Sequence, residues 1–217
     1  MLSVVIPTLD AAGALPATLA ALGTADDVVV ADGGSSDGTA AVAARAGARV
    51  VGCARGRGAQ LAAGIAAARG AWLLLLHADT RLGPGWHEMA ARFMADPARA
   101  GYFRFALDSP DPRARRLEAL VAWRCRVLAL PYGDQGLLIA RDLLDRVGGI
   151  RPLPLMEDVD LARRLGRARL AALDATATTS AQRWEQGGWR RRSARNLACL
   201  SLWYAGVPPR LIARLYG

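Results

Sequence analysis

Four short polar segments hold the residues whose types and spacing suit chemistry. They are Pro7-Thr8-Leu9-Asp10, Asp32-Gly33-Gly34-Ser35-Ser36-Asp37-Gly38-Thr39, His77-Ala78-Asp79-Thr80 and Met156-Glu157-Asp158-Val159-Asp160. The first three each follow a short apolar run, and the fourth opens a helical stretch. Asp79, just past the run Leu73-Leu74-Leu75-Leu76, is placed to hold a divalent cation through oxygen. Such sites combine one or two carboxylates with substrate phosphates. Asp32, at a strand terminus, suits hydrogen bonding to a base or ribose. Arg55-Gly56-Arg57-Gly58 opens another helix. Free N–H groups, the helix dipole and the Arg57 guanidinium would together seat a diphosphate. Each feature also has a plain structural reading. Asp32 and Asp37 are ordinary turn residues, carboxylates at 157–160 suit a helix N-terminus, and Arg57 fits a solvated helix end. Asp134 and Gln135, flanked by Gly133 and Gly136, suit a polar pair pointing into a cleft or an Asx-type turn. Trp184 and Trp189 suit stacking on a ligand or packing in a core.

The elements that position these residues follow from hydrophobic pattern. Apolar runs at 2–7, 27–31, 48–52 and 71–76 read as strands, the last buried on both faces. Helical composition fills 13–22, 39–46 and 56–69 between them. Strand–helix alternation with short connections is the mark of a parallel sheet. In such a sheet the three loaded turns share one edge, where open α/β sheets bind ligands. Beyond a helix at 84–95 the pattern loosens. A weakly alternating strand at 101–107, a long helix at 113–130, a tight turn before a strand at 137–140, and a helix from 156 to about 165 follow. The tail, 184–217, reads as amphipathic helix interrupted at Pro208-Pro209. The expected organisation is one domain over 1–183 with a helical appendage, 184–217, packed upon it.

Composition narrows the class. The chain has 217 residues, 53% of them hydrophobic, enough for a sizeable core. No apolar run reaches the roughly 18 residues of a membrane span, and the N-terminus lacks the pattern of a signal peptide. Cys53, Cys125 and Cys199 are widely spaced with no CxxC, which points to buried or spectator thiols and a cytoplasmic location. The net charge is +9 and lysine is absent. Residues 1–150 hold 16 Arg against 14 carboxylates, and 151–217 hold 12 against 5. The positive excess therefore sits in the last third, where a phosphate-bearing or membrane partner would be met. Asp32-Gly33-Gly34 is not GxGxxG, and GxxxxGK[ST], GxSxG and HExxH are all missing, which removes the common nucleotide-fold, P-loop, hydrolase and zinc-protease signatures.

The order and spacing of 3–8, 31–39, 56–70, 73–80, 133–136 and 156–160 resemble the family 2 glycosyltransferases of the GT-A fold. The nearest likeness is to short bacterial members, some linked with arsenosugar biosynthesis. The resemblance implies an α/β fold, a mostly parallel twisted sheet flanked by helices. It implies that Pro7, Thr8 and Asp32 hold the nucleotide of a UDP- or GDP-linked sugar. Asp79 would be the metal carboxylate of a DxD-like motif, beside Ala78, with His77 where the first Asp usually stands. The ion would be Mn²⁺ or Mg²⁺, imidazole being better tolerated by Mn²⁺. Asp158 would be the catalytic base, with Glu157 beside it. Asp10-Ala11 replaces the usual Asn-Glu after Pro7. Ser180 replaces the Gln of QxxRW ahead of Arg183-Trp184, which argues against a processive polymerase.

The implied reaction is a metal-assisted inverting transfer to a small-molecule or lipid-linked acceptor. Two rivals stand beside it. A sugar-phosphate nucleotidyltransferase shares the sheet and metal logic but releases pyrophosphate. A non-enzymatic basic binder would use Arg190-Arg191-Arg192 and Arg195 with Leu197, Leu200, Trp203 and Tyr204 as an interfacial helix. The aromatic interleaving of RNA modules is missing, so nucleic acid is not expected as a partner. Contact with the inner membrane face through the C-terminal helix is.

Overall fold

The apolar runs become strands because alternate residues are claimed by two helical layers. In the computed structural model, which describes residues 1–216, Leu73 and Leu75 join one core, while Leu74 and Leu76 join another on the opposite face. Val5 and Val29 fall in the first core, and Val4, Ile6 and Val30 in the second. A strand buried on both faces needs no polar alternation, which is why these segments read as continuous apolar runs.

Strands β1 (Leu2–Thr8), β2 (Asp27–Asp32), β3 (Arg49–Gly52) and β4 (Trp72–Leu75) are parallel, in spatial order β3-β2-β1-β4. The sheet continues through β7 (Leu137–Ala140), β6 (Ala100–Leu107), β8 (Leu170–Thr179) and β5 (Thr80–Leu82), eight strands in all. The parallel character expected from sequence holds for the first half and for the β6–β8 pair, whereas β7 runs antiparallel to both its neighbours. The helices are α1 (Leu15–Leu22), α2 (Thr39–Arg45), α3 (Arg57–Ala67), α4 (Trp86–Phe93), α5 (Pro112–Leu128), α6 (Arg141–Arg146), α7 (Glu157–Leu165), α8 (Gln182–Gly187), α9 (Trp189–Tyr204) and α10 (Pro209–Tyr216).

Register gathers the loaded turns. Thr8 pairs with Asp32, and Asp32 with Gly52, at the carboxyl ends of their strands. Leu75 pairs with Leu137, which brings the turn Gly133–Gln135 to the same edge although β7 runs the other way. Thr179 pairs with both Leu107 and Thr80, so the end of β8 arrives there as well. Helix α3 lies directly on β1: a Cβ at Gly64 would collide with Val5 Cγ1, so only glycine permits that approach.

Three elements have no counterpart in the sequence reading: β5, α6 and β8. The segment of β8, Leu-Ala-Ala-Leu-Asp-Ala-Thr-Ala-Thr-Thr, is too alanine-rich for a strand by propensity. Pairing with β6 and burial of Leu173, Ala175 and Ala177 decide its state. The tail forms three helices, with Pro209 at the start of α10 where its missing N–H is harmless. Cys199, Leu200 and Ile212 are buried in the same core as Val159 and Leu161 of α7, so the tail packs on the sheet domain. Among the described residues no helix is long and apolar enough to cross a membrane.

Candidate active site

Two loops interlock at the ends of β1 and β2. The Asp32 carboxylate accepts from Thr8 Oγ1 at 3.0 Å, from the N–H of Gly34 at 3.1 Å and of Ser35 at 2.9 Å, and from the Ser35 hydroxyl. Burial alone would raise this carboxyl; the hydrogen bonds from Ser35, Thr8 and Gly34 outweigh burial and hold it below the ordinary range. Asp10 adopts a left-handed φ of 48° and accepts from the Ser36 N–H at 2.8 Å, while the Ala12 N–H donates to Asp37 at 2.9 Å. Thr8 and Asp32, both buried, thus form the floor of the site and line neither of the cavities above it. That placement differs from direct base or ribose contact, because the four acceptor directions of Asp32 are already filled from its own loops.

Arg57 is the centre of a second cluster. Its Nε donates to Glu157, its Nη2 to Asp158 Oδ2 at 2.9 Å, and its Nη1 lies 3.0 Å from His77 Nε2. Arginine only donates, so His77 Nε2 is the unprotonated nitrogen and accepts. Burial and the adjacent Arg57 charge push the His77 imidazole down to about 3, leaving it neutral. Asp158 also receives the N–H of Gly133 at 2.9 Å and that of Val159 at 2.8 Å. Burial opposes its ionisation, but Arg57 and these two N–H groups hold it below the usual carboxylate range. Burial pushes Glu157 the other way, against the pull of Arg57. Met156 enters α7 with a left-handed φ of 66°, a strained turn of the kind that concentrates at functional sites. Gly133 must be glycine: a Cβ there would lie 2.6 Å from His77 Nε2. The guanidinium expected to face a diphosphate is therefore turned onto three protein groups.

Two cavities meet at His77, Asp79 and Arg183. The larger, about 830 Å³, runs along Pro7, Asp10, Ala14, Arg55, Gly56 and Ala78. The smaller, about 190 Å³, is walled by Tyr132, Asp134, Asp158, Trp184, Arg192 and Asn196. Arg57, His77, Asp79, Ser180 and Arg183 border both. Of the sequence candidates, Pro7, Asp10 and Ala78 line the larger cavity, Asp134, Asp158 and Trp184 the smaller. Glu157, 1% exposed, reaches neither and acts on Arg57 from behind. Gln135 is the clear correction. Its side chain turns inward, donating to Phe103 O at 3.1 Å and accepting from Arg124 and the Tyr132 N–H, each at 3.2 Å. It is 2% exposed, and burial keeps it out of an acceptor's reach. Neighbours in a turn point apart: Asp134 enters the cavity, its Oδ1 buried without a hydrogen-bond partner, and burial, against Arg124, pushes its carboxyl up to about 6.

Sequence reasoning missed Arg183, Arg192 and Asn196 as lining residues and Gln60 as a brace. Gln60, though buried, borders the larger cavity and donates to Thr8 O, and its Nε2 would meet any Cβ at Gly33 at 2.9 Å. Arg183 had a signal, the Arg-Trp pair. Arg192 and Asn196 had none, since nothing local says which face of α9 looks into the site.

The residues present fit a divalent cation that shares substrate oxygens. Asp79 is in no ion pair among the described residues and borders both cavities. No group of three or more His, Cys, Asp and Glu side chains converges there among the described residues, so the protein alone supplies too few ligands. One carboxylate with diphosphate oxygens and water completes the usual set for Mg²⁺ or Mn²⁺. The His77 Nε2 lone pair is already occupied by Arg57, which leaves His77 outside such a set and Asp79 as the carboxylate with room for an ion.

Solved proteins share this fold. Glucosyl-3-phosphoglycerate synthase from Mycobacterium tuberculosis, solved with Mn²⁺, UDP and glucosyl-3-phosphoglycerate, is 20% identical, with a TM-score of 0.64 over 96% of this chain and 81% of that one. Mannosyl-3-phosphoglycerate synthase from Rubrobacter xylanophilus is 19% identical, with a TM-score of 0.60 over 95% of this chain and 75% of that one. A mycobacterial protein is 25% identical with a TM-score of 0.57, and the match covers 83% of this chain but 65% of that one. No curated protein matches the sequence closely enough to serve as a relative. The family model described as glycosyl transferase family 2 matches residues 3–152, well over half the chain and all of the sheet edge from Thr8 to Gln135. With the interlocked Asp10 and Asp32 loops and Asp79 at the end of the central strand, this chain belongs to glycosyl transferase family 2.

Proposed function

We propose that this protein moves a sugar from a nucleoside-diphosphate sugar to an acceptor hydroxyl by an inverting single displacement. The observation that carries the reading is the meeting of two cavities at Asp79. One, about 830 Å³, has room for a nucleotide and is lined by Asp10 and by Gly56-Arg57 at the start of α3; the other, about 190 Å³, is lined by Asp158. The likeness to enzymes solved with UDP, UDP-glucose and Mn²⁺ supports a UDP- or GDP-linked donor and a divalent ion, Mn²⁺ or Mg²⁺. Residues 1–183 form the transferase domain, and 184–217 an appendage that closes the acceptor side.

The donor's nucleotide lies along Pro7, Asp10 and Ala78, on the floor that Thr8 and Asp32 stiffen. Asp79 holds the cation, which when bound neutralises charge on the departing diphosphate. Arg183, bordering both cavities, adds a donor to the same oxygens. The acceptor hydroxyl enters from the smaller cavity beside Asp134 and Trp184. Its oxygen bonds to the anomeric carbon as the bond from that carbon to the diphosphate breaks. The electron pair leaves with the nucleoside diphosphate and the proton passes to Asp158 Oδ1. That oxygen carries one hydrogen bond, from Val159, and has a lone pair to spare. Arg57 and Glu157 fix the carboxylate in place rather than touch substrate. The acceptor is a small molecule or a lipid-linked group. In the second case Leu197, Tyr204, Leu211 and Leu215, exposed on α9 and α10, would meet the inner membrane face.

A thermal-shift panel of UDP and GDP with Mn²⁺ or Mg²⁺ tests the donor site. A ligand at 100 times its Kd stabilises by about 2.7 kcal/mol, or about 5–10 °C for a chain of this size. No shift with any nucleotide overturns the reading. Asp158→Asn is expected to lower turnover by about 10²–10⁴-fold while nucleotide affinity holds. Release of nucleoside diphosphate, not pyrophosphate, separates this reaction from nucleotidyl transfer.

A further inference from the structure

The smaller cavity carries arginines that no protein carboxylate balances. Arg183 and Arg192 line it, and neither makes an ion pair with any described residue. Arg192 lies half-buried under α10, its guanidinium 5.3 Å from the Trp184 ring centre and its Nη2 3.4 Å from the Tyr216 hydroxyl. Its Nε is buried with no hydrogen-bond partner. Burial, with Arg183 and Arg195 close by, pulls the Arg192 guanidinium below its ordinary value against the opposing pull of Tyr216 and Asp79. Asn196, one turn along α9, lines the same cavity, and its Oδ1 is buried without a partner. Of the carboxylates that share the space, Asp158 is tied to Arg57, Asp79 stands at the junction where the cation fits, and Asp134 makes no ion pair with either arginine. Buried guanidinium N–H groups left unpaired are costly, and guanidinium forks match carboxylate and phosphate in shape.

We propose that the smaller cavity takes an acceptor bearing an anionic group, a phosphate or a carboxylate, held by Arg192 beneath the C-terminal helices, with the Asn196 Oδ1 accepting from a hydroxyl of the same molecule. The proposal rests on the glycosyl-transfer reading, since it names the acceptor class of that same site. In it the C-terminal helices divide the work, α9 supplying the anion contacts and α10 covering them. The donor's diphosphate is the other source of the same chemistry, and it would reach Arg183 first because Arg183 alone of the two borders the larger cavity.

Calorimetric titration of the full chain, with and without saturating UDP and Mn²⁺, distinguishes these sources. The probes are inorganic phosphate, glycerol 3-phosphate and glycerol. In the wild type, glycerol 3-phosphate is expected to bind at least about tenfold tighter than glycerol, with phosphate competing, UDP present or not. Arg192→Gln should weaken glycerol 3-phosphate by about tenfold or more, the usual cost of one charge-assisted contact, while UDP affinity changes less than about twofold. Arg192→Lys, which keeps charge but not the fork, should fall between. Asn196→Ala gives a second reading if Arg192→Gln does not fold. The proposal is overturned if the wild type does not prefer the phosphate ester, or if Arg192→Gln weakens UDP and spares glycerol 3-phosphate. If the wild type binds no nucleoside diphosphate at all, the transfer reading and the acceptor role fall together. Phosphate binding lost in Arg192→Gln would then still support the anion site.

Discussion

Asp134→Asn should stabilise the protein at neutral pH and do so in a pH-dependent way. In the folded chain burial raises this carboxyl from 3.8 to about 6, and its Oδ1 has no partner. The unfolded chain gives up the proton near 3.8, and the folded chain near 6. Between those values the unfolded state binds fewer protons, so stability falls as pH rises through the window and stays low above it. A shift of about two units corresponds to a penalty of roughly 3 kcal/mol at pH 7.5, against about 1 kcal/mol at pH 4.5. Asparagine has no charge to desolvate and escapes the pH-dependent part. The measurement is urea unfolding of wild type and variant at both pH values. The difference in stability, variant minus wild type, should grow by about 2 kcal/mol from pH 4.5 to 7.5. Comparing the two proteins at each pH cancels the acid sensitivity of His77 and the other carboxylates. A difference that stays flat between the two pH values refutes the assignment of a raised carboxyl to Asp134. The gain is expected to come with weaker acceptor use, because the same side chain faces the smaller cavity.

Arg57→Met should cost about 2–4 kcal/mol, since it strands Glu157 and Asp158 without their shared cation; the figure is discounted because the Arg57 side chain is 34% exposed. Chemical denaturation reads it directly, and a loss below about 1 kcal/mol would show that the cluster is solvent-screened. In Asp79→Asn, UDP affinity should become indifferent to Mn²⁺ and to chelator. A variant that retains the metal-dependent gain would move the ion to another ligand. Flotation with anionic vesicles at about 0.15 M salt tests whether α9 and α10 dock on lipid, where screening extends only about 8 Å. Protein remaining at the bottom of the gradient removes the membrane contact and favours a small soluble acceptor.

What sequence determined about this protein is local. A four-leucine run too short for a helix had to be a doubly buried strand, and polar turns after successive strands had to share an edge if those strands were parallel. The Asp-Gly-Gly-Ser-Ser-Asp-Gly-Thr loop and the Glu-Asp pair at a helix start were legible because each is a contiguous segment with its own turn or capping chemistry. Direction was not legible. Asp134 and Gln135 are adjacent and equally polar, yet one faces the cavity and the other braces Phe103 and Arg124, because the turn's orientation is fixed by β7 and β6. Arg57 looked like a free diphosphate ligand until α7, 100 residues away in sequence, brought Glu157 against it. An alanine-rich segment became β8 only because β6 offered an open edge and the core had room for Leu173 and Ala177. Arg192 gained its role only when α9 folded back over the sheet. Short-range patterns fix which segments become strands, helices and turns; which charges end up facing one another depends on packing between segments far apart in the chain, and that only the tertiary structure decided.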